Sequence, residues 1–208
     1  MTCSTHCQSS RQRSTCGRSS RSLIVAFTLG IAVTGHMYAD EPIPMTDTTE
    51  ASGEIPSFYV RAVTGPLAGK SVCYVCRNGD RPVVVVLLRE LGPDAAALLK
   101  ELDRTVNQHR ADGLRCFAVL LTDTPQRDSA RLQTLAFDEK IDLPLTLAGE
   151  ASTLGSPLAF SRESAVSVVT YQDRRIVQRF TFKAGTCDET ARKRIVAASE
   201  KLVEAKKE

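Results

Sequence analysis

The chain has 208 residues, 42% of them hydrophobic and 25% charged, with no Trp and a formal net charge of +3. These are globular proportions, and they exclude a disordered, collagen-like or multi-span membrane chain. The 27 basic residues exceed the 24 acidic ones only because residues 1–39 hold Arg11, Arg13, Arg18 and Arg21 and no acid. Without that segment the balance is 23 against 24, or −1, and no argument for nucleic acid or an anionic membrane surface survives.

The first 39 residues run basic and Ser-rich to Arg21, then apolar from Leu23 to about Gly35, and reach Ala39 before the acidic Asp40-Glu41. This is the three-part pattern of a secretory signal peptide cleaved after Ala39. The apolar run is shorter than the roughly 20 residues of a transmembrane helix. An uncleaved anchor is the alternative, and it is the only membrane attachment the sequence offers. Cys3, Cys7, Cys16, His6 and His36 lie in this segment and carry no expected role. Export, periplasmic or extracellular, leaves Cys73, Cys76, Cys116 and Cys187 where disulfides persist, with three full pairings open.

Residues 40–57 contain Asp40, Glu41, Asp47, Glu50 and Glu54, no Lys or Arg, and Pro42, Pro44 and Pro56, the composition of a flexible acidic linker. Residues 58–205 are long enough for one core and too short for two. Phe58 to Val63 is a short strand candidate, followed by turn residues and by Ser71 to Cys76. Asn78-Gly79 signals a tight turn. Pro82 to Leu88 is a continuous β-branched and aliphatic run, the mark of a strand buried on both faces.

Pro93 suits a first helical position, and Leu98, Leu99, Leu102 and Val106 recur at helical spacing up to a stop at Gly113. Cys116 to Leu121 is a second buried strand, so the two strands and the helix between them form a parallel crossover unit. Pro125 to about Lys140 is a second helix, Leu143 to Leu147 a short strand, and Ala148 to Ser164 a loop. Ala165 to Tyr171 and Ile176 to Phe182 make a hairpin around Gln172-Asp173-Arg174. Thr186 and Glu189 then form a capping box for a last helix through Val203.

A β-α-β unit followed by a helix, a hairpin and a C-terminal helix resembles the thioredoxin-like superfamily, and the leading strand pair is similar to its redoxin and peroxiredoxin branch. The resemblance covers about Phe58 to Val203. It implies an α/β, three-layer fold with a mixed central sheet of four to five strands flanked by helices, extended by an N-terminal β-hairpin. The family's reactive Cys follows the first core strand, where this chain has Arg89-Glu90-Leu91-Gly92-Pro93-Asp94. The cis-Pro that thioredoxins carry before the hairpin is replaced by Arg162-Glu163-Ser164-Ala165.

Cys73-Tyr74-Val75-Cys76 is the one redox-like spacing. On a straight strand its Cα atoms would stand about 10 Å apart, beyond the reach of a disulfide, so either the chain bends at Tyr74-Val75 or the pair is not bridged internally. A structural disulfide, a redox-active dithiol and a metal site all remain open on spacing alone; no Cys-x-x-Cys-His for covalent haem is present.

Strand direction places Cys76 and Cys116 at one sheet edge and Cys187 at the other. Cys116 is a candidate third thiol, or plain core. His109 suits a helix end, and Asp123 a turn or cap. The expected function is that of an exported thioredoxin-fold protein with thiol–disulfide redox chemistry at Cys73 and Cys76, acting on a protein disulfide or redox partner, with no cofactor or metal. The alternative is a non-catalytic binding or scaffolding module whose cysteines are structural.

Overall fold

The computed structural model describes residues 47–48, 53–149, 154, 158 and 162–205. The signal-peptide reading of residues 1–39, with Cys3, Cys7 and Cys16, lies outside the described residues. Among the described residues eight strands form one sheet. These are β1 (Asp47–Thr48), β2 (Val60–Ala62), β3 (Ser71–Val72), β4 (Val83–Leu88), β5 (Arg115–Leu121), β6 (Leu145–Ala148), β7 (Ser164–Gln172) and β8 (Arg175–Lys183), in the order β1-β8-β7-β4-β5-β6-β2-β3. The helices among the described residues are α1 (Tyr74–Asn78), α2 (Pro93–Gln108), α3 (Pro125–Glu139) and α4 (Glu189–Glu204).

The sheet centre follows from the two apolar runs. All six residues of β4 are buried, as are the last six of β5, and such runs are stable only with both sheet faces covered. β4 and β5 pair in parallel, Val84 opposite Cys116, and β5 and β6 likewise. β7 lies antiparallel on the other side of β4, and β8 antiparallel to β7.

Alternation along the strands divides the core. Val84, Val86, Leu88, Cys116, Ala118 and Leu120 face the cluster built with α2, α3 and α4. Val83, Val85, Leu87, Phe117, Val119 and Leu121 face the cluster of Ile55, Phe58, Tyr74, Val75, Leu154 and Leu158.

Three expectations are corrected. The sheet is larger than four to five strands, because the N-terminal hairpin β2–β3 continues it through β2 pairing with β6, and β1 adds the opposite edge on β8. The last helix is not opened by a Thr186 and Glu189 capping box. Asp188 is its N-cap, accepting the Ala191 N–H at 2.8 Å, while Thr186 Oγ1 donates back to the Lys183 carbonyl. The first long helix ends at His109 rather than Gly113, which serves the loop beyond with a φ of 95°.

The end of the acidic segment also packs on the domain. Ile55 is completely buried, and its N–H donates to the Arg174 carbonyl at 2.8 Å. The Arg174 side chain in turn donates to Glu54.

Candidate functional site

β3 stops after two residues because the chain turns into α1 at Cys73, whose Sγ accepts the Cys76 N–H at 3.2 Å. One helical turn replaces the extended path, bringing the two Cα atoms to 5.4 Å, and Cys73 and Cys76 are joined in a disulfide. Gly79 ends the helix with a φ of 56° and no Cβ to strain there, so the Asn-Gly signal marks a helix terminus rather than a hairpin.

The two cysteines are unequal. Cys73 is 6% exposed and belongs to the core cluster with Tyr74, Val75 and Phe117, whereas Cys76 is exposed. Tyr74 stacks on Phe117 at 5.1 Å between ring centroids, fixing α1 against the sheet.

Residues Gly79 to Pro82 lead directly into β4, so the disulfide sits at the strand's N-terminal edge. Beside it lies a cavity of about 580 Å³ lined by Tyr74, Arg77, Asn78 and Arg81 from the α1 side and by Val106, Arg110, Arg115 and Cys116 from the α2–β5 side. Leu67, Leu143 and Pro144 add apolar wall, and Asp142 is the one acid on it. Burial lowers the pKa of the Arg115 guanidinium, and the charges of Arg81 and Arg110 lower it further. The Tyr74 hydroxyl is buried without a hydrogen-bond partner, and burial raises its pKa against the opposing charge of Arg77.

Cys116 is a free, buried thiol on this wall. Burial raises its pKa far beyond the range of a working thiolate, and the Asp103 charge adds to the rise. Its side chain packs with the α2 cluster, on the sheet face opposite that of Cys73.

Cys187 follows β8 and lies at the far edge, lining a smaller cavity with Gly92, Pro93 and Asp94, where the resemblance places a reactive Cys. It is also free and buried, with its pKa pushed up to about 11 by burial, although the Arg192 charge opposes the rise. His109 caps α2 and lies 3.2 Å through Nδ1 from Asp112. Among the described residues no group of three His, Cys, Asp or Glu is placed to hold a metal ion.

Solved structures share this architecture. A secreted thiol-disulfide isomerase of Corynebacterium glutamicum matches with a TM-score of 0.59 at 12% identity, over 80% of this chain and 96% of that one. A secreted disulfide oxidoreductase of Mycobacterium tuberculosis matches with a TM-score of 0.52 at 10% identity, over 68% and 96%. The peroxidoxin BcpB of the same organism matches with a TM-score of 0.54 at 13% identity, over 74% and 96%. The fold is thioredoxin-like. At such identities the likeness establishes the fold, and chemistry must be argued from the site. No protein-family model matches the sequence, and no curated protein matches it.

Sequence reasoning singled out Cys73 and Cys76, which the structure joins, and Cys116, which it sets near the start of β5, beside β4. It missed Tyr74, Arg110 and Arg115 as a common wall. The first was read only as the spacer between cysteines, and the other two follow the end of α2 with no spacing signal that links them to α1. It also missed Asp128 at the other sheet edge. That buried carboxylate accepts hydrogen bonds from the hydroxyls of Thr122 and Thr124 and from the Arg131 guanidinium, which together hold its pKa down to about 2. The i, i+3 spacing of Asp128 and Arg131 on a helix was the available signal.

Proposed function

We propose that the protein is an exported thiol–disulfide exchange protein working through Cys73 and Cys76 on a protein dithiol or disulfide. The observation that carries this reading is the asymmetry of the pair, with Cys76 exposed and Cys73 buried as the N-cap of α1. A partner thiolate reaches Cys76 Sγ; a new sulfur–sulfur bond forms there, the Cys73–Cys76 bond breaks, and its electron pair leaves on Cys73. The Cys76 N–H already directed at Cys73 Sγ stabilises that leaving thiolate. The partner's second thiolate then attacks the partner sulfur of the mixed disulfide and releases Cys76 as a thiolate. The partner leaves oxidised, and the pair is reduced. The same steps run backward reduce a partner disulfide.

The missing Cys after β4 supports a second reading, a non-catalytic module in which the disulfide only pins α1 to the sheet. The purified protein, supplied with a dithiol reductant and a protein disulfide, separates the two. Exchange that is lost in Cys73→Ser and in Cys76→Ser supports the first reading, and a rate equal to that of the reductant alone overturns it.

Export rests on the charge and apolar pattern of residues 1–39. N-terminal sequencing of native protein beginning near Asp40, from a fraction outside the cytoplasm, supports it, and a start at Met1 in the cytoplasm overturns it. Among the described residues no helix is long and apolar enough to cross a membrane.

A further inference from the structure

The cavity between α1 and the start of β5 has features that thiol exchange does not use. Neither sulfur of the disulfide lines it, yet four arginines, Arg77, Arg81, Arg110 and Arg115, converge on it from two separate stretches of chain. Convergence of like charges costs free energy unless a counter-charge is supplied.

The protein supplies part of it, since the buried Asp103 carboxylate acts on Arg110 from behind the wall. Asp142 is the single acid on the wall. Arg81 donates to the Arg77 carbonyl, Arg110 to Asn107 Oδ1, and Arg115 to the Arg110 and Leu114 carbonyls, all neutral oxygens. A second observation is independent of charge. Tyr74, 7% exposed, lines the same cavity and carries a hydroxyl with no partner, and a buried hydroxyl left unpaired costs free energy that a ligand oxygen would recover. The volume of about 580 Å³ is that of a small-molecule site, and Leu67, Val106, Leu143 and Pro144 give it an apolar wall.

We propose that this cavity binds a small organic anion, a carboxylate or phosphate group carried on a compact apolar body. The arginines take the anionic oxygens, the Tyr74 hydroxyl donates to one of them, and the apolar wall covers the body. The site sits beside the disulfide through the shared helix α1, and its occupation does not require exchange chemistry.

The test is titration calorimetry on the oxidised full-length protein with three probes of similar size: isophthalate, phenyl phosphate and the neutral isophthalamide. At least one of the two anions is expected to bind roughly tenfold or more tighter than the diamide, and the better one identifies the headgroup. Arg81→Gln and Arg110→Gln, both at exposed positions, are each expected to weaken that anion by about threefold to tenfold while circular dichroism stays unchanged.

Equal binding of the diamide, or wild-type affinity in both variants, overturns the proposal. So does the absence of binding by either anion up to about 10 mM. Binding by a protein with no exchange activity leaves this site standing and removes the exchange reading; exchange without binding does the reverse.

Discussion

At the scale of single residues, burial separates the roles of two otherwise identical cysteines. Replacing Cys73 by Ser leaves an exposed thiol at Cys76 with no internal thiolate to resolve its mixed disulfide. Incubated with a small disulfide, this variant is expected to accumulate a stable adduct at Cys76, visible by mass spectrometry. Of the pair, Cys76→Ser leaves the 6% exposed Cys73, which is expected to react about tenfold or more slowly. An adduct forming equally fast on Cys73 would remove the asymmetry on which the exchange mechanism depends.

Asp128 makes a second residue-level case. Its folded pKa, about 2, lies below the ordinary 3.8, first through the Thr122 hydroxyl and then through Arg131, Thr124 and Arg127, with burial opposing. The depressed value means that the contribution is complete above the ordinary pKa and is lost as pH falls through about 2. Asp128→Asn should cost about 1–3 kcal/mol at neutral pH. In urea melts between pH 5 and pH 2 it should lose less stability than the wild type, and parallel curves would count against this assignment.

At the scale of elements, termini are set by local chemistry that reads clearly in some places and ambiguously in others. Pro93 and Pro125 stand at the first positions of α2 and α3, as their fixed φ favours. Both were legible. The start of α4 reads as a capping box opened by Thr186, but the cap used is Asp188, whose carboxylate reaches the Ala191 N–H. Asp188→Ala should therefore lower stability by about 1 kcal/mol, whereas Thr186→Ala should cost less than half as much, as read by chemical denaturation. At α1 the sequence leaves open a straight strand or a bend at Tyr74-Val75 for Ser71 to Cys76, and does not show the helical turn that forms there. Five helical residues have too little intrinsic stability to announce themselves, and the turn is held by the disulfide and by Tyr74 on Phe117.

At the scale of the whole molecule, the folding unit is proposed to begin before Phe58. Ile55 fills the core face shared with Phe58 and Tyr74, and Glu54 pairs with Arg174 at the β7–β8 turn. A fragment of residues 53–205 should unfold cooperatively. One of residues 58–205 should be less stable by about 2–4 kcal/mol through loss of the buried Ile side chain and its backbone hydrogen bond. Identical denaturation midpoints would show that the segment contributes nothing.

The sequence by itself determined the central strands, because six-residue apolar runs must be covered on both faces. It also determined the helices α2 and α3 and the hairpin around Asp173-Arg174, where both residues take positive φ. Strand direction alone further implied that Cys76 and Cys116 share an edge from which Cys187 is excluded, and the structure has Cys76 just before β4, Cys116 at the start of the parallel β5 and Cys187 after β8.

Only the tertiary structure decided the width of the sheet, since the two- and three-residue strands at and beside its edges are specified by the partners they meet rather than by their own pattern. It also decided which cysteine is exposed and that Tyr74, Arg77, Arg81, Arg110 and Arg115 enclose one cavity. Both depend on contacts between segments far apart in the chain, and hydrophobic periodicity describes only the element that carries it.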